Sequence, residues 1–332
     1  MNRYTFARRT LLASALATPL AAPSIARAQA RRPLRIIVPF PPGGAVDSLG
    51  RILADRLAPV LDQQVVVDNR SGAGGMIGAD AVAKAAPDGT TIGIIGAATL
   101  CAAPFLLPSM PFDVARDFRV VTQTTDSAVV LAVGTQAAAA RGWTSLATLL
   151  DWARANPGRF SLANSGVATV SHLVSAALAK EAGVEFNMIA YRGGAQAAND
   201  MLAGTLDGST DLPSSLIPLA QSGRVQLLGV SSGRRLGLLP EVPAFAETPG
   251  LGGIDVRSWN VMLLPAGTPE AEVRRLHGAI RQVGMSEAFR TALRPLGYDA
   301  VTSESPEAAA ALVREDTPRW RRLVEQSGAR VE

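Results

Sequence analysis

The chain has 332 residues, of which 32 are basic and 28 acidic, with two histidines and one cysteine. That length can hold two domains of ordinary size, and a single cysteine excludes an intramolecular disulfide. The formal charge of +4 belongs to the first 28 residues, where Arg3, Arg8, Arg9 and Arg27 stand without any acid; the remainder is formally neutral and argues against nucleic acid or an anionic membrane as a partner.

Residues 1–28 read as a signal peptide rather than as fold. A positive start precedes the short apolar stretch Leu11 to Leu20, too short to span a bilayer. Ala26-Arg27-Ala28 and Ala28-Gln29-Ala30 are alternative small-x-small cleavage sites, so the mature chain begins at Gln29 or Arg31. Arg8-Arg9 followed by Thr10-Leu11-Leu12 resembles a twin-arginine signal, and the Tat and Sec routes both stay open. No later segment is apolar enough to cross a membrane. The expectation is a soluble, exported, periplasmic protein.

The mature chain opens on its most informative stretch. Leu34 to Val38 is a short apolar run, Pro39-Phe40-Pro41-Pro42-Gly43-Gly44 a Pro/Gly loop, and Leu49, Leu53, Leu57 and Leu61 then recur at every fourth residue. This pattern predicts strand, glycine loop and amphipathic helix. The loop would bring free N–H groups of a helix start to one point, and such a point attracts anions. The same alternation continues. Strands are predicted at Val65–Val67, Thr91–Ile95, Ala128–Val133, Phe160–Ala163, Glu185–Tyr191, Leu206–Asp211, Val225–Val230 and Arg257–Leu264, with a short run at Tyr298–Val301. Helices are predicted through Lys84, over Trp143–Ala155 with Thr144 or Ser145 as N-cap, from Thr169 to Glu181 closed by Gly183, and from Gly194 to Ala203. The fold class is therefore α/β with mixed, mostly parallel sheets. Two lobes, 31–131 plus 258–332 and 132–257, would follow if the chain crossed between them near Ala128–Val133 and near Arg257–Val261.

Catalytic readings lack parts. Gly72-Ala73-Gly74-Gly75-Met76-Ile77-Gly78 fails the dinucleotide spacing, because the sixth position from Gly72 is Ile77 and no acid ends a following strand about twenty residues on. There is no Walker sequence. Ser165-Gly166 is not a nucleophile elbow. His172 and His277 are the only histidines, too few and too far apart for a zinc site. Cys101, inside Thr99-Leu100-Cys101-Ala102-Ala103, reads as a small buried apolar residue. The chain is read as a binding protein, not an enzyme, without metal or cofactor.

Asp47 has two readings, contact with a ligand or stabilisation of its own helix turn by capping and dipole interactions. His172 likewise can hold a loop in shape, and Thr169, with a hydroxyl and an N–H at a helix start, is the better ligand candidate. Tyr191 and Trp259 have two readings, core aromatics or pocket walls, of which core is the one adopted.

Taken together, the motifs resemble the Bug family, extracytoplasmic solute receptors of tripartite tricarboxylate transporters. The resemblance rests on Val38-Pro39-Phe40-Pro41-Pro42-Gly43-Gly44 with Asp47 and Arg51, Asn69-Arg70 with Gly72 to Gly78, Ala83-Lys84-Ala85 with Pro87-Asp88-Gly89-Thr90, and Ser171-His172-Leu173. Tyr191-Arg192-Gly193-Gly194, Leu239-Pro240-Glu241-Val242-Pro243 and Pro265-Ala266-Gly267-Thr268-Pro269 complete it. It implies a two-lobed periplasmic binding protein of the type II, Venus-flytrap kind, with two crossing segments, closing on a small organic acid. The implied ligand-binding set is Pro42, Gly43, Gly44, Ala45 and Asp47 from the first loop, Ala98 and Thr99 beside it, Ser165, Gly166, Ala168, Thr169 and His172 from the second loop, and Asp211. The implied partners are a small carboxylate and membrane transporter subunits, or in the alternative a membrane sensor that reads carboxylate occupancy; the protein is expected to be a monomer. The chain departs from the family pattern at Ala168-Thr169, where Gly-Ser is common, at Ala176, where glutamate is common, and at Gln196, often proline.

Overall fold

The computed structural model describes residues 32–328. The leader and its cleavage sites lie outside them. The first half of the chain runs β1 (Leu34–Val38), α1 (Ala45–Leu61), β2 (Val65–Asn69), α2 (Met76–Ala83), β3 (Thr91–Gly96), α3 (Ala103–Leu106), β4 (Phe118–Ala128), β5 (Val130–Gly134), α4 (Thr135–Arg141), α5 (Leu146–Ala155) and β6 (Phe160–Asn164). It continues α6 (Val170–Ala182), β7 (Phe186–Ala190), α7 (Gly194–Leu202), β8 (Gly208–Asp211), α8 (Pro213–Gln221), β9 (Val225–Val230), β10 (Arg257–Pro265), α9 (Glu270–Gly284), α10 (Glu287–Leu293), β11 (Asp299–Ala300) and α11 (Pro306–Ser327).

Local chemistry places the helix ends that matter. Leu49, Leu53 and Leu57 of α1 are fully buried, the apolar stripe that the four-residue spacing implied. Helix α5 starts at Ser145, not Thr144: the Ser145 hydroxyl accepts from the Thr148 N–H and Thr148 returns a bond to the Ser145 N–H, a reciprocal cap. Helix α6 is capped by Thr169 and ends on left-handed Gly183.

The strands form two sheets, ordered β11-β4-β10-β3-β1-β2 and β7-β6-β8-β5-β9. Both are mixed. Within the strand–helix–strand units pairing is parallel, as expected: β1 with β2 and β3, and β6 with β7 and β8. The strands at the crossings, β4, β5 and β10, pair antiparallel with their neighbours.

Strand β4 is longer than the sequence pattern showed. Residues 118–127 carry Thr122, Thr124, Thr125 and Ser127, all buried, which hides the apolar alternation. Their hydroxyls are satisfied inside the sheet: Thr124 donates to the Asn260 carbonyl, Thr125 accepts from the Asn260 amide, and Ser127 donates to the Gly297 carbonyl. β-branched threonine suits a strand, and bonded hydroxyls can be buried at small cost.

The chain passes between the sheets at Val129 and again through 231–256. Ser231 ties the two passages together. Its N–H donates to the Val129 carbonyl at 2.8 Å, and its hydroxyl accepts from the Val129 N–H at 2.9 Å and donates to the Val256 carbonyl at 2.8 Å. The Val256 N–H returns to the Ser231 carbonyl at 2.7 Å. Helix α11 packs on β4 and also on α6, so it touches both lobes. Trp259 of β10 and Trp320 of α11 both donate their indole N–H to Asp316 Oδ2 at 2.7 Å, anchoring the helix. Cys101 is buried beneath α11, and burial pushes its thiol up to about 12. Among the described residues no helix is long and apolar enough to cross a membrane.

Candidate functional site

A cavity of about 360 Å³ lies between the lobes. One wall is the start of α1 with the end of β3 and the beginning of β10; the other is the starts of α6, α7 and α8. Of the expected residues, Pro42, Gly44, Ala45, Ala98, Thr99, Ser165, Thr169 and Asp211 line it. Gly43, Asp47, Gly166, Ala168 and His172 do not line it and form a second row next to the lining residues in sequence.

Asp47 shows what this second row does. Its buried carboxylate accepts from the Gly43 N–H at 2.9 Å, from Arg51 at 2.9 and 3.1 Å, and from the Asn69 amide at 2.9 Å. Every partner belongs to the loop or its support, so the turn-stabilising reading describes its contacts. Burial pulls its pKa upward, but the bonds from Arg51, Gly43 and Asn69 together hold it below the usual carboxylate range. A folded value below the unfolded one means stability that is present above the unfolded pKa and is lost as pH falls through the folded one. Asp47→Asn should therefore cost about 1–3 kcal/mol near neutrality, and almost nothing in strong acid. Urea unfolding of both proteins across that range checks it.

The second loop is more self-contained than expected. The Ser165 N–H donates to Ser171 Oγ, Gly166 to Asn164 Oδ1, Ala168 to His172 Nδ1, and Thr169 to the Gly166 carbonyl. The Thr169 hydroxyl donates to the Gly166 carbonyl and caps α6 by accepting from the His172 N–H. These amides hold the loop in shape, and burial lowers the His172 pKa, keeping the ring a neutral acceptor. Ala168 sits at φ +63°, a left-handed conformation that costs a non-glycine residue about 1–2 kcal/mol. Ala168→Gly should relieve this strain at the expense of chain entropy, for a net gain of up to about 1 kcal/mol in unfolding free energy by chemical denaturation.

Three helix starts face the cavity without a side-chain cap: α1 after Gly44, α7 after Gly193, and α8 after Leu212, whose first residue Pro213 has no N–H. Among the described residues the N–H groups of Ala45 and Val46 and those of Gly194, Ala195 and Gln196 have no hydrogen-bond acceptor. Uncapped N–H groups with the positive end of a helix dipole behind them attract an anion without a full positive charge. The charged residues lining the cavity are Arg192 and Asp211. Asp211 is 5% exposed and burial raises its pKa, against bonds from Ser215, the Leu212 N–H and Ser165. It packs so closely on Gly194 that a Cβ there would lie 1.3 Å from Asp211 Oδ2. Among the described residues no group of three or more His, Cys, Asp or Glu is placed to hold a metal ion.

Sequence reasoning missed the α7 wall, Arg192 to Gln196 with Asn199, and also Ser258, Asn260 and Tyr298. The α7 wall had a signal. Tyr191-Arg192-Gly193-Gly194 repeats the strand–glycine loop–helix pattern of the first loop.

The family described as "Tripartite tricarboxylate transporter family receptor" matches residues 49–329. The chain belongs to that family. This receptor is 39% identical over 96% of its length to the "UPF0065 protein in tcbD-tcbE intergenic region" of Pseudomonas sp. strain P51, covering 93% of that protein. Its fold matches that of the periplasmic binding protein BugD with a TM-score of 0.84 at 31% identity, covering 91% of the receptor and 99% of BugD. It also matches R. palustris Rpa4515, solved with adipate, with a TM-score of 0.84 at 29% identity, covering 90% and 98% of the two chains. The receptor thus has the two-lobed fold of periplasmic binding proteins.

Proposed function

We propose that this receptor is an exported, periplasmic substrate-binding protein that captures a small organic carboxylate between its lobes and delivers it to a tripartite tricarboxylate-type transporter. The observation that carries the reading is the uncapped start of α1 facing an interlobe cavity of about 360 Å³, room for a small acid. Adipate in a neighbour of the same fold supports the ligand class. No step in this reading is catalytic. One ligand carboxylate accepts from the Ala45 and Val46 N–H groups, and lobe closure removes water from around it, which strengthens those bonds. Ser165 and the start of α6 complete the second wall.

A thermal-shift panel of mono-, di- and tricarboxylates and acidic amino acids tests this. A ligand at one hundred times its dissociation constant adds about 2.7 kcal/mol to unfolding, a rise of several degrees for a chain of this size. At least one acid should give it. Shifts with sugars or nucleotides alone would overturn the ligand class.

A further inference from the structure

Two buried carboxylates stand near the cavity, and they differ in their partners. Asp47 is paired with Arg51 at 2.9 Å. Asp211, the last residue of β8, lines the cavity directly, is buried, and forms no ion pair among the described residues. The groups around it are polar but uncharged: the Ser215 hydroxyl and the Leu212 N–H at the start of α8, the Ser165 hydroxyl of the second loop, and Gly194 of α7. On β5 its neighbour in register is the apolar Val130. From the other lobe the Asn260 amide and the Tyr298 hydroxyl line the same cavity, and burial pushes the Tyr298 pKa up, so it stays neutral. His172, in the second row, is held neutral by burial. The cation in the cavity lining is Arg192, which is exposed.

Opposed influences act on Asp211. Burial disfavours its charged form and raises its pKa, while the bonds from Ser215, the Leu212 N–H and Ser165 favour the charge. The positive end of α7, beside Gly194, favours it too. A carboxyl balanced in this way changes its charge when one more influence is added. A ligand carboxylate at the start of α1 adds a strong one. It brings a like charge into a cavity of about 360 Å³, and lobe closure removes the water that would screen the two charges from each other. A proton from solvent, bonded to one Asp211 oxygen, removes the repulsion, and no other bond forms or breaks. Asp47 has no such response, because Arg51 holds its charge in place.

We propose that Asp211 takes up a proton when a carboxylate enters the cavity, so that the receptor binds an anion and a proton together. This rests on the carboxylate reading given above and adds to it a second species bound, with the residue that binds it. The sign follows from linkage. Between the pKa of Asp211 in the free protein and its higher value in the complex, binding consumes a proton, so affinity falls as pH rises. Below that window Asp211 is protonated in both states, above it in neither, and affinity is flat.

Calorimetric titration of the wild-type protein with propionate, succinate, glutarate and glutamate, in pairs of buffers of different ionisation enthalpy from about pH 5.5 to 9, counts the protons taken up. An acid that binds should take up at least about 0.3 proton at the maximum, with affinity falling by up to about tenfold per pH unit where uptake nears one. Asp211→Asn, neutral at every pH, should abolish most of the uptake and leave affinity nearly independent of pH, whereas His172→Gln should keep both. Infrared difference spectra of the wild type with isotope-labelled acids need no variant: a protonated-carboxyl band belonging to the protein should grow on binding. Binding without proton uptake anywhere in the range, or without that band, overturns the proposal while the carboxylate reading stands. Uptake that survives in a folded Asp211→Asn protein, or is lost in His172→Gln, overturns it equally. Binding of none of the four acids would overturn both.

Discussion

Gly44→Val is expected to weaken carboxylate binding by at least a hundredfold in calorimetric titration, while circular dichroism of the variant matches the wild type. The fold has no objection to valine here. Gly44 sits at φ −84°, ψ 173°, extended backbone open to any residue, and a Cβ would meet nothing nearer than the Pro41 carbonyl at 3.8 Å. The site objects strongly. Gly44 is the residue before the free N–H groups of Ala45 and Val46 and lines the same cavity, so the valine methyls occupy the approach to those groups. A hundredfold loss corresponds to about 2.8 kcal/mol, which one blocked anion contact can supply. Gly43 would be a poor substitute for this test: at φ +87° it needs glycine for its conformation, and its N–H holds Asp47. His172→Gln provides the contrast. Its ring stands behind the second loop, bonded to the Ala168 N–H, so binding should fall only a few-fold. Wild-type affinity in Gly44→Val would place the anion elsewhere.

The first loop was legible in sequence because one stretch encodes all of it: an apolar strand, glycines that keep the turn open, and a leucine stripe that starts the helix. The second lobe was legible as architecture and less so as chemistry. Ser165 and Thr169 reach the cavity, but which amides stay free depends on side chains folding back from Asn164, Ser171 and His172, and sequence spacing does not encode those bonds. The α7 wall followed the same strand–glycine–helix pattern as the first loop, yet its role depends on the crossings at Val129 and Val256, which set the two lobes face to face. Strand β4 was hidden for a simpler reason. Buried threonines with bonded hydroxyls fill the places where an apolar alternation would have announced it.

The lobes touch around the cavity, and Gly74→Ala is expected to prise them apart. An added Cβ at Gly74 would lie 2.4 Å from the Val167 carbonyl of the opposite lobe, and a backbone carbonyl cannot turn away as a side chain would. Gly193 approaches Pro41, and Gly297 meets Pro213, along the same seam. A ligand held from both sides must enter through an open form and favours the closed one by its differential affinity. Ser231, bonded to both passages between the sheets, keeps the lobes in register while they swing. Saturating carboxylate should therefore shrink the radius of gyration in solution scattering at constant helix content. In Gly74→Ala the alanine is strained in both forms, since Gly74 sits at φ +62°, at a cost of about 1–2 kcal/mol to the fold. The clash is felt in the closed form alone. Affinity should fall at least tenfold, and the ligand should no longer compact the protein. A disulfide between Pro41→Cys and Gly193→Cys supplies the reverse state: locked shut, the protein should admit no ligand until it is reduced. Wild-type affinity in Gly74→Ala, with unimpeded binding in the locked form, would reject a site shared by the two lobes.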